Sequence, residues 1–338
     1  MISKRIDTIK QLFPSMPAYR AKQVQSALFN LDWKGWGSVS VLSKEMREQL
    51  VEAVSWMSLK EKTVSQDHQS SKALLETSDG MQIETVLLAN ARGQWTVCVS
   101  SQVGCAMNCS FCATGKLGLK RNLTSDEIVD QYRYWADKIA GGERISNIVY
   151  MGMGEPLANY AEVKESLNII LANTDIGETK ITVSTVGVLP RLDQILEDDE
   201  WPPVRLAVSL HSVDSVVRKK IMPSSSPEFL KELQLWAKRY ETEKGNRQHH
   251  ITFEYLMLSQ VNDSKDDAKA LVRYLRDLNR VKVNVIAYNE TGTFKTSNPK
   301  KIDDFCGVLR SAGVDVMRRQ SHGQGIDAAC GQLASKSE

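Results

Sequence analysis

The chain has 338 residues, of which 42% are hydrophobic, so it can bury a large core. Its 43 basic and 41 acidic side chains leave a net charge of only +2, which argues against a generic polyanion binder but allows a local basic patch for RNA. The six cysteines form no regular disulfide framework, the N-terminus lacks the apolar core of a signal peptide, and no apolar run approaches the roughly 20 residues of a membrane span. These features predict a cytoplasmic protein without a membrane anchor.

The first 94 residues predict two small units. Apolar residues recur at helical spacing from Ile6 to about Lys60, with breaks at SMPAY and DWKGWGS, which predicts a helical domain over residues 1–60. The polar stretch 61–72 predicts a linker. The sequence KALLETSDGMQIETVLL alternates around a Ser-Asp-Gly turn and predicts a β-hairpin, so we assign residues 61–94 to the linker and hairpin.

Strand-like runs alternate with amphipathic helical runs from Trp95 onward, in a domain that we place at residues 95–338. Thr124 with Glu127 three residues later is typical of a capping box at the start of the first of these helices. About six such units predict an α/β fold with a parallel sheet and helices outside it. In folds of this kind the chemistry is carried out at the carboxyl ends of the strands.

Three cysteines form a C-x3-C-x2-C triplet in the run GCAMNCSFCATG, namely Cys105, Cys109 and Cys112. Thiolates select zinc, copper(I) or iron-sulfur clusters. A structural zinc site needs a fourth ligand, which this stretch lacks, whereas a [4Fe-4S] cluster held by three cysteines leaves one iron open. A zinc site completed by distant residues stays as the alternative.

A glycine-rich turn, MGMGEP, follows a predicted strand. Gly152 and Gly154 allow the backbone to approach a ligand closely, and Glu155 offers an acceptor for an ammonium group or a ribose hydroxyl. A pair of glycines is equally typical of a tight turn.

The remaining three cysteines differ in their surroundings. Cys330 lies in DAACGQL, on a glycine-flanked segment far from the triplet, which is unusual for a core residue. Cys98 lies seven residues before Cys105 on the preceding predicted strand, where a free cysteine is commonly a packed small hydrophobe. Cys306 lies on the predicted helix IDDFCGVL and is interpreted as a core residue.

Several stretches resemble the RlmN/Cfr family of radical SAM RNA adenosine methyltransferases: CVSSQVGC, FCATG, NLTSDEI, MGMGEPLAN, SLH and IDAACGQL. The resemblance spans roughly residues 84–333 and implies an open, partial (βα)6 barrel. It also implies that the three clustered cysteines hold a [4Fe-4S] cluster whose open iron chelates the amino and carboxylate groups of S-adenosylmethionine and delivers the electron that cleaves it.

The resemblance also implies a set of residues that contact S-adenosylmethionine, namely Gly154, Glu155, Ser184, Ser209, Leu210, His211 and Asn289. For His211 a satisfied buried imidazole is the alternative interpretation.

The family chemistry assigns roles to three further residues. Cys330 would accept a methyl group from one S-adenosylmethionine by substitution, because adenine ring carbons are too electron-poor to attack a methyl sulfonium themselves. Cys98 would later attack the Cys330 sulfur, release the methylated RNA and leave a disulfide that must be reduced for turnover. Glu84, on the predicted hairpin, matches the proton acceptor of the family, although a lone Glu on a strand is more often a solvated surface residue.

The implied substrate is an adenosine of 23S ribosomal RNA, with transfer RNA as a second candidate and an external electron donor such as flavodoxin as a partner. The segments VSSQVGC and MGMGEPL resemble RlmN and favour methylation at C2, whereas KLGLKRNLT is closer to Cfr, for which C8 is the alternative. The stretches YNE and IMPSSSPEFL depart from the family pattern and leave the exact target open.

The candidate RNA contacts are basic or aromatic side chains for which an ordinary solvated surface is the alternative: Tyr19, Arg20, Lys22, Lys116, Lys120, Arg121, Arg318 and Arg319. We expect a monomer. A non-catalytic, zinc-dependent RNA-binding protein is the distant alternative to an enzyme.

Overall fold

The computed structural model describes residues 4–89, 93–139, 143–245, 250–319 and 323–334. Its helices are α1 (Arg5–Leu12), α2 (Ala18–Ala27), α3 (Lys44–Ala53), α4 (Ser125–Lys138), α5 (Tyr160–Asn173), α6 (Leu189–Glu197), α7 (Ser215–Ile221), α8 (Phe229–Glu243), α9 (Lys265–Leu275) and α10 (Pro299–Ser311). Its strands are β1 (Leu59–Gln66), β2 (Ser70–Thr77), β3 (Gln82–Ala89), β4 (Trp95–Cys98), β5 (Gln102–Gly104), β6 (Leu119–Asn122), β7 (Ile145–Tyr150), β8 (Ile181–Thr185), β9 (Arg205–Ser209), β10 (Ile251–Met257), β11 (Val281–Ala287) and β12 (Asp315–Arg319).

One large sheet organises the molecule, with the strand order β1-β2-β3-β4-β7-β8-β9-β10-β11-β12. Strands β4 and β7 to β12 pair in parallel, and helices α4 to α10 connect them as six successive βα units. Strands β5 and β6 form a separate antiparallel pair. Within the described residues β1 and β12 are the two edges, so the sheet is open. The predicted parallel sheet of about six βα units is confirmed, as is the capping box of α4 at Thr124 and Glu127.

Strands β2 and β3 form the predicted antiparallel hairpin, in which Leu74 pairs with Glu84. The expectation of a linker at residues 61–72 is wrong, because β1 occupies Leu59–Gln66 and pairs along β2. Most side chains of β1 are exposed, as befits an edge strand, and its polar composition therefore resembled that of a loop.

The N-terminal helices α1 to α3 have an apolar cluster of their own, in which Ile9, Val24 and Leu50 are fully buried. The ring of Trp36 packs edge-on against Trp56, with 4.9 Å between ring centroids. This cluster is separate from the main core, which lies between the large sheet and helices α4 to α10.

A buried ion cluster ties α1 to α4. The carboxylate of Asp130 accepts hydrogen bonds from Arg5 Nη2 at 2.5 Å and from Ser58 N at 2.6 Å, and it also contacts Arg133. Arg133 Nε in turn donates to Leu28 O at 2.6 Å. Burial alone would raise the pKa of Asp130, but the two guanidinium groups outweigh it and lower the pKa to about 2.

Replacing Asp130 by Ala is expected to lower the free energy of unfolding by about 3–5 kcal/mol, because two buried guanidinium groups lose their counter-charge. Asp137→Ala is the matched control on the same helix, since Asp137 pairs with Lys34 at the exposed surface and should cost less than about 1 kcal/mol. Urea unfolding of the three proteins checks this. Equal losses in the two variants would contradict the anchoring role of Asp130.

Candidate active site

The cysteine triplet lies on a loop whose base is closed by the short β5–β6 pair. Cys105 N donates to Gly118 O at 3.1 Å, and Cys112 N donates to Cys109 O at 3.1 Å. Gly104 has φ +75°, and a Cβ added there would lie 1.8 Å from Gly118 O, so only glycine fits. The loop therefore has a fixed base from which the three thiols project.

The donor set of this loop fits a three-cysteine iron-sulfur cluster. Burial raises the pKa of Cys105 to about 11 and that of Cys109 still further, so the thiolates need a positively charged partner. In the part of the chain that the structure describes, no three Cys, His, Asp or Glu side chains form a group that could hold a single metal ion. A four-iron cluster does not require the three side chains to bind one metal ion, because each cysteine binds a different iron.

A cavity that is partly open to solvent lies beside the cysteine loop. Many of the predicted site residues line it, namely Cys112, Gly154, Glu155, Ser184, Ser209, His211 and Cys330. Most come from the carboxyl ends of neighbouring parallel strands or from the loops that follow them, which is why residues distant in sequence converge here.

Glu155 follows the carboxyl end of β7, and backbone N–H groups hold its carboxylate. Its Oε1 accepts from Leu157 N at 3.0 Å and its Oε2 accepts from Val186 N at 2.8 Å. Gly154 packs so closely that an added Cβ would lie 2.6 Å from Gln102 Cβ. Burial raises the pKa of Glu155 to about 7, against which its hydrogen bonds act.

This raised pKa makes stability depend on pH. Since the folded state favours the protonated form of Glu155, the free energy of unfolding should fall as pH rises from the ordinary value of 4.5 to about 7. Glu155→Gln should remove up to about 3 kcal/mol of this pH dependence, as measured by urea unfolding of the cluster-free protein at about pH 5 and about pH 8. Glu165→Gln, an exposed change on α5, is the control. An unchanged pH profile in Glu155→Gln would contradict the assignment.

His211 is a neutral imidazole that accepts a hydrogen bond and also lines the cavity. Its backbone has φ +57°, and its Nδ1 accepts from Leu256 N at 3.1 Å, so the ring proton is on Nε2. Burial lowers its pKa to about 3. The side chain of Asn262 donates to both His211 O and Leu256 O at 2.7 Å and thereby fixes this left-handed turn.

Leu210 and Asn289 do not line the cavity. Leu210 is fully buried, and its N and O are bonded to Glu254 O and to the Arg218 side chain. Asn289 Nδ2 donates to Cys330 O at 3.1 Å, and its Oδ1 accepts from Gln324 at 2.7 Å. In this structure Asn289 therefore holds the segment that carries Cys330.

The C-terminal segment that carries Cys330 is bound on two sides. Gly331 O accepts from Ala113 N at 2.8 Å, beside the cysteine loop, and Leu333 O accepts from Thr114 Oγ1 at 2.6 Å. On the other side Ala334 N donates to Glu84 Oε2 at 2.7 Å. These contacts hold Cys330 at the wall of the cavity.

Cys98 and Cys330 are both free thiols, and the charge of Cys330 contributes to the pKa of Cys98. Cys330 is exposed to solvent, yet desolvation by the surrounding protein raises its pKa. Burial, followed by the nearby Cys330, raises the pKa of Cys98 to about 12. The guanidinium of Arg319 acts in the opposite direction on both thiols.

Glu84 is only 2% exposed, so it is no solvated surface residue. Its Oε1 lies 3.0 Å from Lys72 Nζ, and its Oε2 accepts from Ala334. Glu84 does not line the cavity but lies beneath the C-terminal segment.

Sequence reasoning missed Glu254, which lines the cavity. Its Oε1 accepts from Asn284 at 3.0 Å, and its Oε2 is buried without a hydrogen-bond partner among the described residues. A carboxylate within the apolar strand ITFEYLML was the signal available in the sequence. Arg319, expected to contact RNA, also lines the cavity, where its Nη1 lies 3.3 Å from Met151 Sδ.

Two other arginines proposed to bind RNA are engaged by carboxylates. Arg121 donates to both Asp79 and Glu127 at 2.7–2.9 Å, and Arg318 donates to Asp303 at 2.7 Å. Arg20 Nη1 bonds to Gln23 Oε1 and Val41 O, and Lys116 Nζ to Thr291 O. The side chains of Tyr19, Lys22 and Lys120 are exposed.

Comparison with known proteins defines the class first. The profile of the Radical SAM superfamily matches residues 99–275, the region that contains the cysteine loop and most of the cavity. A radical SAM methyltransferase from Sphaerobacter thermophilus has a similar crystal structure, with a TM-score of 0.91, 35% sequence identity and 98% of each chain covered. The predicted α/β radical SAM fold is confirmed.

Full-length relatives define the family more closely. A probable dual-specificity RNA methyltransferase RlmN from Dictyoglomus turgidum is 39% identical, with 98% of this chain and 96% of the relative covered. A protein of the same designation from Moorella thermoacetica is 41% identical over 93% and 90%. The ribosomal RNA large subunit methyltransferase N from Nitrosopumilus maritimus is 38% identical over 93% and 92%.

The chain belongs to the RlmN family of radical SAM RNA methyltransferases, which use a [4Fe-4S] cluster and S-adenosylmethionine. The family predicted from its motifs is thereby confirmed. Among the helices that the structure describes, none has the length and apolar character needed to cross a bilayer.

Proposed function

We propose that this enzyme methylates a ring carbon of an adenosine in 23S ribosomal RNA, with C2 favoured, and that Cys330 carries the methyl group. The observation that supports this most is the position of the Cys330 thiol, which lines the same cavity as Cys112, Glu155 and His211. Transfer RNA is a second substrate in this proposal, as the family resemblance implies. Several relatives are named dual-specificity RNA methyltransferases, which supports a second RNA substrate.

Cys105, Cys109 and Cys112 would hold the cluster, and Gly154, Glu155, Ser184, Ser209 and His211 would surround S-adenosylmethionine in the cavity. When bound there, the cluster and S-adenosylmethionine supply both the methyl group and the radical chemistry. The contribution of the protein is to position the Cys330 thiol at this cavity. The positive charge of Arg319 favours the thiolate of Cys330, which is the nucleophilic form.

Cys98 is the resolving thiol in this proposal. In this proposal the Cys98 thiolate attacks the Cys330 sulfur, forms the S–S bond and breaks the bond from that sulfur to the methylated base. The electrostatic effect of Cys330 on the pKa of Cys98 supports this pairing. The bonding electrons pass to the CH₂ carbon on the base, which takes up a proton and becomes the methyl group. The resulting disulfide accepts two electrons from an external reductant before the next turnover. A carrier such as flavodoxin would supply electrons to the cluster.

Glu84 is the proposed proton acceptor. Since Glu84 contacts Lys72 and Ala334 rather than the cavity, proton transfer to it requires the segment that carries Cys330 to shift. The shift breaks the Ala334 hydrogen bond, after which Oε2 would accept the proton.

The N-terminal helices are proposed to form an RNA-binding accessory domain over residues 1–60, next to a hairpin unit at 61–94 and the catalytic domain at 95–338. Exposed Tyr19 and Lys22 on α2, and Lys120 on β6, are the proposed contacts. We propose a cytoplasmic monomer.

Mass spectrometry of nucleosides and RNA fragments tests the function. The enzyme is expressed in a host that lacks this activity, and Cys330→Ala is expressed as the control. We expect one new C2-methyladenosine in 23S ribosomal RNA with the wild type and none with Cys330→Ala. Methylation at C8 would establish the Cfr-like alternative, and methylation at a nitrogen would contradict the proposal.

A further inference from the structure

Arg218, on α7, is a buried cation without a carboxylate partner among the described residues. It is 1% exposed. Its Nε donates to Leu210 O at 3.1 Å, its Nη2 donates to Val186 O at 2.9 Å and Ser209 O at 3.0 Å, and its Nη1 donates to Ser225 Oγ at 2.5 Å. All four acceptors are neutral, so the hydrogen bonds satisfy the donors but leave the positive charge uncompensated.

The same helix supports the cysteine loop. Ser110 N donates to Ile221 O at 2.9 Å, and Ser110 Oγ donates to Lys220 O at 3.0 Å. Cys109 and Ile221 belong to one apolar cluster. Arg218 lies one helical turn before Ile221, on the helix that supports the cysteine loop.

The electrostatics of the two groups agree with this placement. Burial lowers the pKa of Arg218 to about 9, and Cys109 acts to raise it. Phe229, whose ring centroid lies 3.6 Å from Arg218 Cζ, separates the guanidinium from bulk water on another side.

A buried, unpaired cation is costly unless an anion compensates it. A [4Fe-4S] cluster with three thiolate ligands carries net negative charge, and reduction adds one more negative charge to it. A fixed cation nearby therefore stabilises the reduced cluster more than the oxidised one, and net charge around a cluster is one of the factors that set its potential.

We propose that Arg218 is the built-in counter-cation of the iron-sulfur cluster and raises its reduction potential. The inference rests on the proposed ligation of the cluster by Cys105, Cys109 and Cys112. The competing explanation is purely mechanical, because Arg218 also ties the ends of β8 and β9 together through Val186 and Ser209.

The test uses the full chain, reconstituted with iron and sulfide without oxygen. Iron and sulfide content measure cluster assembly, and a redox titration followed by electron paramagnetic resonance measures the potential. Arg218→Met removes the charge, whereas Arg218→Lys keeps the charge but lacks the planar guanidinium group. Lys220→Met removes an exposed charge from the same helix. We expect a lower potential in Arg218→Met and wild-type potentials in Arg218→Lys and Lys220→Met, since solvent screens Lys220.

A wild-type potential in Arg218→Met, or an equal fall in Arg218→Lys, would overturn the proposal. If Arg218→Met assembles no cluster, a loaded Arg218→Lys with the wild-type potential supports the role of the charge, and a cluster-free Arg218→Lys contradicts it. A wild-type protein without iron would instead overturn the proposed ligation itself.

Discussion

Replacing any one of Cys105, Cys109 or Cys112 by Ala is expected to abolish cluster binding and, with it, RNA methylation. The loop offers three thiols, one for each cluster iron bound to the protein, so it has no spare ligand. A cluster bound by two cysteines loses one of its three anchoring bonds to protein. Iron content, sulfide content and the yield of 5′-deoxyadenosine measure the effect, and all three should fall to background.

Cys306→Ala is the matched control for these variants. Cys306 is also fully buried but lies on α10 and does not line the cavity. Its loss should cost only the free energy of a small cavity, about 1 kcal/mol, with a normal cluster. Wild-type iron and 5′-deoxyadenosine in a Cys105, Cys109 or Cys112 variant would refute the ligand assignment.

Replacing Cys98 by Ala is expected to trap RNA on the enzyme. Cluster binding, methyl loading of Cys330 and bond formation to the base need no second thiol, whereas release requires a sulfur neighbour to attack Cys330. RNA should therefore remain covalently attached to Cys330 in Cys98→Ala. Denaturing electrophoresis should show a shifted protein band that returns to its normal position after nuclease treatment.

The Cys98 result separates two explanations of one buried residue. If Cys98 is only a packed side chain of β4, Cys98→Ala loses a small amount of stability and still releases product, as Cys306→Ala should. Free turnover by Cys98→Ala, or an intact cluster and methylated Cys330 without any adduct, would contradict the resolving role.

The larger elements could be predicted because their signals are local. The run YAEVKESLNIILAN carries helical spacing along its whole length, and α5 occupies the same residues. Strands β5 and β6 have three and four residues, too few to show alternation, so the pair that closes the base of the cysteine loop was not predicted. Strand β1 was missed because exposed edge strands have polar sequences.

In the candidate site, too, features with a local sequence signal could be predicted and contacts between distant residues could not. Cys112, Glu155 and His211 could be brought together from sequence, because motif residues that follow parallel strands meet at one edge of the sheet. Contacts between distant residues could not be predicted, such as that of Ala334 with Glu84 across 250 positions. Arg218 was not singled out either, because a basic residue on an amphipathic helix ordinarily faces solvent.

The central claim is that Cys330 carries the methyl group, and peptide mass spectrometry of the purified enzyme tests it most directly. Protein isolated from cells with an ample supply of S-adenosylmethionine should show the added mass of one CH₂ group on the peptide that contains Cys330, localised to its sulfur by fragmentation. An unmodified Cys330 in an enzyme that methylates RNA, with the added mass on another residue, would contradict the account.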